Sequence, residues 1–161
     1  HDKGRKEGDR DMVDLFKLVT SYYYSPYAKG SNSIKAILPA IISESQFLQD
    51  KYGKRGVYGK GLEINSLNCT DHQWIKSGDV DPYKSLDPVF PEYDREEVEK
   101  IKGLEELNDG GAALTAYNFL QYSNITDKQR EKLQQALYNY CELDTMAMVM
   151  IMEAWREMIK E

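Results

Sequence analysis

Cysteine is scarce in this sequence, where Cys69 and Cys141 are the two examples among 161 residues and form no C-x-x-C pair. This usage argues against a disulfide framework and is typical of a reducing cytoplasm. Long apolar runs are also missing, since no stretch approaches the roughly 20 residues that a membrane-spanning helix needs. A signal-peptide pattern is absent as well. We therefore expect a cytoplasmic protein without a membrane partner.

Positive charge is in deficit, because 21 Lys and Arg stand against 27 Asp and Glu and give a formal net charge of −6. This balance argues against a broad basic surface for nucleic acid. It leaves room for a local site, because metal-dependent nucleases concentrate acidic residues where the metal binds. With 30% charged and 41% hydrophobic residues, the composition is that of a globular domain able to bury a core.

The start of the chain is polar, reads HDKGRKEGDR, and begins with His1 rather than Met. We predict that residues 1–10 are disordered. We expect residues 1–161 to be a single domain, or a fragment of a larger nuclease-like domain.

Apolar periodicity and capping residues predict a mainly α protein, α+β at most. Residues 11–19 fit either a short buried strand or a short helix, and residues 56–65 fit a hairpin. Ser33 is placed to cap a helix that Pro39 kinks or ends. The predicted helical segments are 34–42, 43–53, 94–107 (weakly), 110–123 and a long C-terminal helix over 126–159.

Residues 54–92 are rich in Gly, Asn, Asp and Pro, and they read as one long irregular loop. Structureless loops of this length are uncommon in compact domains. We therefore expect the loop to pack on the core through its aromatic residues, which are Tyr58, Trp74, Tyr83 and Phe90.

The C-terminal helix places a carboxylate in its apolar stripe. Thr126 and Gln129 predict a capping box at its start. Counting from Leu133 at helical spacing, the stripe runs through Leu137, Tyr140, Asp144 and Met148.

A buried carboxylate is costly unless it is hydrogen-bonded, protonated, ion-paired or bound to a metal. Asp144 is therefore either a structural acid bonded to a neighbouring backbone amide, or a metal ligand beside the phenol of Tyr140.

The motif around Asp144, YCELDTMAMV, resembles the final motif of a bacterial family of uncharacterised proteins. The C-terminal domain of that family, of unknown function, is similar to the DnaQ-like, DEDD-type 3′–5′ exonucleases of the RNase H-like superfamily. The resemblance extends over most of the chain and includes RDMVDL (10–15), GSNSIKAILPA (30–40), DPYKSL (81–86) and GGAA (110–113).

This resemblance implies the helical C-terminal portion of an RNase H-like α/β nuclease fold, cleaving DNA or RNA with Mg²⁺ or Mn²⁺. Tyr140 would orient the attacking water and Asp144 would bind metal. Asp14 would lie on the last strand of the nuclease sheet. Its role would be structural, or at most that of a residue that contacts a metal ligand without binding the metal. The D-x-E motif of these enzymes is missing, and we expect it upstream of His1. The resemblance thus implies a chain that is inactive alone.

Three further features have alternative interpretations. Lys35, near a helix start, can contact a nucleic-acid phosphate, although a solvated lysine is the ordinary case. Cys69 and His72 have zinc-like spacing but no second pair, so zinc is not expected. The tyrosines can stack on bases or pack under the long loop, and packing is favoured; they are Tyr22, Tyr23, Tyr24 and Tyr27.

The competing function is a non-catalytic helical module that binds a protein partner. If the chain lacks a nuclease sheet and apolar surface is thereby left open, we expect it to form a homo-oligomer.

Overall fold

The computed structural model describes residue 8 and residues 12–57, 68–69, 71–76, 78–86 and 110–160. These residues form a mainly helical fold, as the sequence predicts. The described ranges contain an isolated antiparallel bridge between Lys76 and Asp79 but no strand. Most of the region predicted to be disordered, most of the predicted hairpin and the weak helix at 94–107 lie outside the described residues.

Five α-helices and two 3₁₀ helices follow one another along the described chain. The α-helices are α1 (Leu15–Tyr22), α2 (Ile34–Glu44), α3 (Gln46–Tyr52), α4 (Gly110–Tyr122) and α5 (Asp127–Met158), and the 3₁₀ helices are Pro26–Ala28 and Pro82–Ser85.

Helix α1 decides between the two alternatives for residues 11–19, a short strand or a short helix, in favour of the helix. Asp14 caps this helix, since its carboxylate accepts hydrogen bonds from the backbone N–H groups of Phe16 (3.0 Å) and Lys17 (3.4 Å). The apolar residues lie at helical spacing, with Val19 buried and Leu15 and Leu18 half-buried. The cap and the spacing together favour the helix, so the sheet position implied for Asp14 is wrong.

Helix α2 runs through the centre of the core. It follows Ser33, as predicted, but the Ser33 side chain makes no capping hydrogen bond. Pro39 lies inside the helix, which continues to Glu44. Packing of an apolar helix offsets the hydrogen bond that an internal proline removes. The residues of α2 with at most 2% exposure are Ile37, Leu38, Ala40, Ile41 and Ile42.

Helix α5 begins with the predicted capping box, in which the Thr126 side chain and the Gln129 side chain bond to each other's backbone N–H. Its buried face is rotated from the predicted one. Leu133 and Tyr140 are buried and Leu137 is half-buried, but Met148 is 43% exposed, so its predicted burial is wrong.

The observed stripe of α5 explains this rotation. It runs at spacings of three and four residues along one face, so Asp144 and Met148 lie at its edge. Its members are Tyr140, Leu143, Met146, Ala147, Met150, Ile151 and Ala154.

The segment from 68 to 86 packs on this helical core, as predicted for its aromatic residues. Trp74 is 2% exposed and Tyr83 is 4% exposed. The Trp74 indole N–H donates to the carbonyl of Val57 at 3.1 Å, and the Ile75 N–H donates to the carbonyl of Tyr52 at 3.1 Å. The prediction is confirmed for these two aromatic residues, whereas Tyr58 and Phe90 lie outside the described residues.

A charged network joins α3 to α5. One carboxylate oxygen of Glu153 accepts hydrogen bonds from the Lys51 ammonium at 2.6 Å and the Tyr52 hydroxyl at 2.7 Å. Both ionic side chains are largely buried, so this charge-assisted contact fixes the relative position of the two helices.

Of the four tyrosines expected to pack under the long loop, one is half-buried and three are exposed in the part of the chain that the structure describes. Tyr23 is half-buried, tilted against Trp155, and donates a hydrogen bond to Glu44 at 2.8 Å. Tyr22 and Tyr24 are both 86% exposed, and Tyr27 is exposed as well. The interpretation therefore fails for three of the four residues.

Helix α4 confirms the predicted segment 110–123 but is not a wholly buried helix. Ala116 and Leu120 face the core, while Leu114 and Tyr117 are exposed. No helix in the described part of the chain is long and apolar enough to cross a membrane.

Candidate active site

Three residues singled out from the sequence meet around a fourth, Tyr83. The Lys35 ammonium lies 4.9 Å from the ring centre of Tyr140 and 5.3 Å from that of Tyr83. The two rings are 6.2 Å apart. The Tyr83 hydroxyl donates a hydrogen bond of 2.6 Å to Oδ1 of Asp144. We call these four residues, Lys35, Tyr83, Tyr140 and Asp144, the Asp144 cluster.

Local structure sets each of these side chains. Tyr140 and Asp144 are one turn apart on α5, so their side chains project side by side. Lys35 is the second residue of α2, which packs against α5. Tyr83 lies on the 3₁₀ helix Pro82–Ser85, where the Asp81 side chain accepts the Tyr83 N–H at 3.2 Å. Thus three separate segments converge on one point.

Burial and charge keep the Tyr83 phenol protonated. Its pKa is raised far above the ordinary tyrosine value by burial, by its hydrogen bond to Asp144 and by the negative charge of that carboxylate. A phenol in this state remains a donor across the physiological pH range. Asp144 therefore has a permanent hydrogen-bond partner that fixes its Oδ1.

Tyr83 is the residue of the cluster that sequence reasoning missed. The sequence predicts that Tyr83 packs on the core as part of the long loop, and it does so. No pattern in the sequence indicates the contact of its hydroxyl with Asp144. The available signal was the DPYKSL motif at 81–86, in which Asp81 and Pro82 specify the start of a 3₁₀ helix.

Asp14 does not belong to the cluster. It is exposed and both of its hydrogen bonds go to the first turn of α1. Its observed role is that of a helix cap.

The described residues do not by themselves fit a divalent metal ion. Mg²⁺ and Mn²⁺ prefer several oxygen ligands, chiefly carboxylates. The cluster supplies one carboxylate, two phenols and an ammonium group. No set of three or more His, Cys, Asp or Glu side chains among the described residues is placed to hold a metal. A metal centre at Asp144 would need acidic residues from elsewhere.

Comparison of the chain with protein-family models, curated proteins and solved structures gives no match.

The first prediction concerns Tyr83→Phe, which removes the donor to Asp144. At pH 7 we expect the free energy of unfolding to fall by about 1–2 kcal/mol. The pKa of Tyr83 is raised in the folded state relative to the unfolded state. The contribution of its hydrogen bond to the free energy of unfolding is therefore fully present below the unfolded tyrosine pKa of about 10 and is lost as the pH rises above it. In urea unfolding at pH 7 and at pH 10.5, the difference in the free energy of unfolding between wild type and variant should be smaller at the higher pH.

Tyr24→Phe is the matched control, because this tyrosine is 86% exposed. Its stability should equal that of the wild type at pH 7. A wild-type advantage over Tyr83→Phe that grows between pH 7 and pH 10.5 would contradict the assignment of Tyr83 as a protonated donor.

Proposed function

We propose that this chain is the C-terminal part of a metal-dependent, DEDD-type nuclease that acts on DNA or RNA. Asp144 contributes one metal ligand, Tyr140 orients the attacking water and Lys35 contacts a phosphate. The observation that carries the proposal is the meeting of these three residues in one cluster. Each was selected from sequence for a role in the same reaction, and Lys35 lies on α2, far along the chain from the helix that carries Tyr140 and Asp144.

The surroundings of Asp144 suit a ligand more than a core acid. A structural acid would be enclosed and bonded to a neighbouring backbone amide. Asp144 is instead half-buried at the edge of the apolar stripe, and its hydrogen bond comes from a side-chain hydroxyl. Hydrogen-bonded carboxylates of this kind are typical of metal ligands, whose partners fix their orientation.

Lys35 brings positive charge to the same place. Its ammonium lies over two aromatic rings, and such cation–π contacts restrict where a flexible lysine can point. An ammonium held over these two rings can attract a phosphate and hold it near the reacting group.

The remaining carboxylates would come from other parts of the complete protein. A bound metal would activate water and stabilise the charge that develops on the phosphate. The residues of this chain would position that water and bind the strand.

The competing proposal is a non-catalytic helical module. It is supported by large apolar and aromatic side chains left exposed just before α1, on α1, in the turn after α1 and on α4, a pattern found at partner-binding surfaces. The most exposed of them are Met12, Tyr22, Tyr24 and Tyr122. Strand cleavage by the complete protein separates the two proposals.

The second prediction concerns the chain of 161 residues alone. Because the Asp144 cluster has a single carboxylate, we expect no metal-dependent cleavage of labelled single-stranded DNA or RNA in the presence of Mn²⁺. Gel electrophoresis of the labelled strand measures this directly, with the complete protein as positive control. Cleavage by the 161-residue chain that a chelator abolishes would show that the catalytic residues lie elsewhere in it.

A further inference from the structure

Tyrosines after helix α1 alternate between the core and the solvent. The backbone is extended at Tyr23 and at Ser25, and side chains along extended backbone point to opposite sides in turn. Tyr23 and Ser25 point inward, where both donate hydrogen bonds to the Glu44 carboxylate, at 2.8 Å and 2.7 Å. Tyr22 and Tyr24 lie on the other side, and each is 86% exposed.

The inward side chains fix the backbone that carries the exposed rings. Glu44 ties the segment to the end of α2, and the Tyr23 ring lies against Trp155 of α5, with 5.8 Å between ring centres. The next 3₁₀ helix packs on α2 and exposes a further ring, that of Tyr27. We call Tyr22, Tyr24 and Tyr27 the tyrosine surface. Rings on a fixed backbone lose little conformational entropy when they bind a ligand.

The charge around the tyrosine surface is positive. Residues 15–43 contain three lysines and no acidic residue, although the whole chain carries −6. Lys17 and Lys29 are exposed, and neither has a carboxylate within 4.0 Å in the described part of the chain. Asp14, at the edge of this stretch, is engaged as the cap of α1. A ligand with several negative charges is therefore favoured here.

Exposed aromatic rings beside unpaired lysines suit single-stranded nucleic acid. Its bases stack on aromatic side chains, and its phosphates pair with lysines. The same rings could contact a protein partner, as in the competing proposal. The absence of acidic residues from 15–43 favours the phosphate backbone, because a protein partner does not require charge of one sign.

We propose that the tyrosine surface binds single-stranded nucleic acid by base stacking, with Lys17 and Lys29 contacting phosphates. Lys35 of the Asp144 cluster belongs to the same lysine-bearing stretch, which continues from the 3₁₀ helix into α2. The binding needs neither a metal nor Asp144, and so it goes beyond the proposed function.

Fluorescence anisotropy of a labelled oligo(dT) of about eight nucleotides tests this inference. The 161-residue chain is used at low ionic strength with a chelator. Oligo(U) of equal length distinguishes RNA from DNA, and binding to either supports the proposal. Tyr24→Ala should weaken binding at least about fivefold, whereas Tyr24→Phe keeps the ring and should bind like wild type. Tyr122→Ala is the matched control, since this ring is 87% exposed on α4, and its affinity should not change.

A duplex of the same length should bind more weakly than the single strand, because its bases are already stacked and paired. Equal affinity for duplex and single strand would overturn the proposal, as would equal losses in Tyr24→Ala and Tyr24→Phe. No binding at about 100 μM, the result expected if the surface serves a protein partner instead, would overturn it as well.

Asp144→Asn separates this test from that of the proposed function. The variant should bind the oligonucleotide like wild type whether or not Asp144 is a metal ligand. Loss of binding in Asp144→Asn, with no loss in Tyr24→Ala, would place the nucleic acid at the Asp144 cluster and contradict the role of the tyrosine surface.

Discussion

Asp144→Asn in the complete protein is expected to lower the rate of DNA or RNA cleavage at least about 100-fold. Groups that merely orient a metal ligand contribute 10- to 100-fold to activity, so loss of a ligand's charge should cost at least as much. The substitution preserves the shape of the side chain. It also preserves the oxygen that accepts the Tyr83 hydroxyl, so the fold should be retained.

A quantitative cleavage assay with Mn²⁺ measures this loss. Glu142→Gln provides the matched control, because Glu142 lies on the same helix and bonds Asn68 rather than the Asp144 cluster. It should retain near wild-type cleavage. Tyr140→Phe should have a smaller effect than Asp144→Asn, since the metal would still hold the water. Full cleavage by Asp144→Asn would exclude Asp144 from the reaction.

Trp74→Ala is expected to have the largest effect on stability, a loss of about 3–5 kcal/mol in the free energy of unfolding. Trp74 is 2% exposed and donates its indole N–H to Val57. Its removal leaves a large cavity and an unsatisfied carbonyl beneath the segment that carries Tyr83. Because whole domains are stable by about 5–15 kcal/mol, the variant should be close to unfolding at 37 °C.

Urea unfolding followed by circular dichroism measures the loss. Tyr122→Ala serves as control, since this aromatic side chain is 87% exposed at the end of α4, and a change within about 0.5 kcal/mol is expected. Equal stability of Trp74→Ala and Tyr122→Ala would show that the 68–86 segment does not contribute to the core as described.

Local signals in the sequence predict most of the helices. The capping box at Thr126 and Gln129 fixes the start of α5, and its apolar periodicity supports a helix that ends close to the predicted residue. Serine and glycine likewise mark the bounds of α3, where the Ser45 side chain accepts the Leu48 N–H and Gly53 follows the last turn. Such signals lie within a few residues of the structure they specify.

The expectations that failed depend on tertiary packing. The apolar pattern of α5 is broad, so counting from Leu133 placed Met148 inward, whereas contact with α2 rotates the buried face toward Leu143 and Ala147. Residues 11–19 are a different case: they are too few for periodicity to separate strand from helix, and a local contact, the Asp14 cap, decides for the helix.

The sequence indicates three residues of the Asp144 cluster one by one, but it indicates neither the Tyr83 contact nor the cluster as a unit. Tyr140 and Asp144 share a helix, so their proximity follows from spacing alone. The arrival of Lys35 and Tyr83 depends on how α2 and the 3₁₀ helix dock on α5, and no local pattern encodes that docking.

Electron paramagnetic resonance of Mn²⁺ titrated into the complete protein tests most directly whether Asp144 is a metal ligand. Wild type is expected to bind Mn²⁺, and Asp144→Asn to bind fewer ions per chain or to bind them at least about tenfold more weakly. Glu142→Gln should match wild type. Identical Mn²⁺ binding by wild type and Asp144→Asn would contradict the proposed nuclease site.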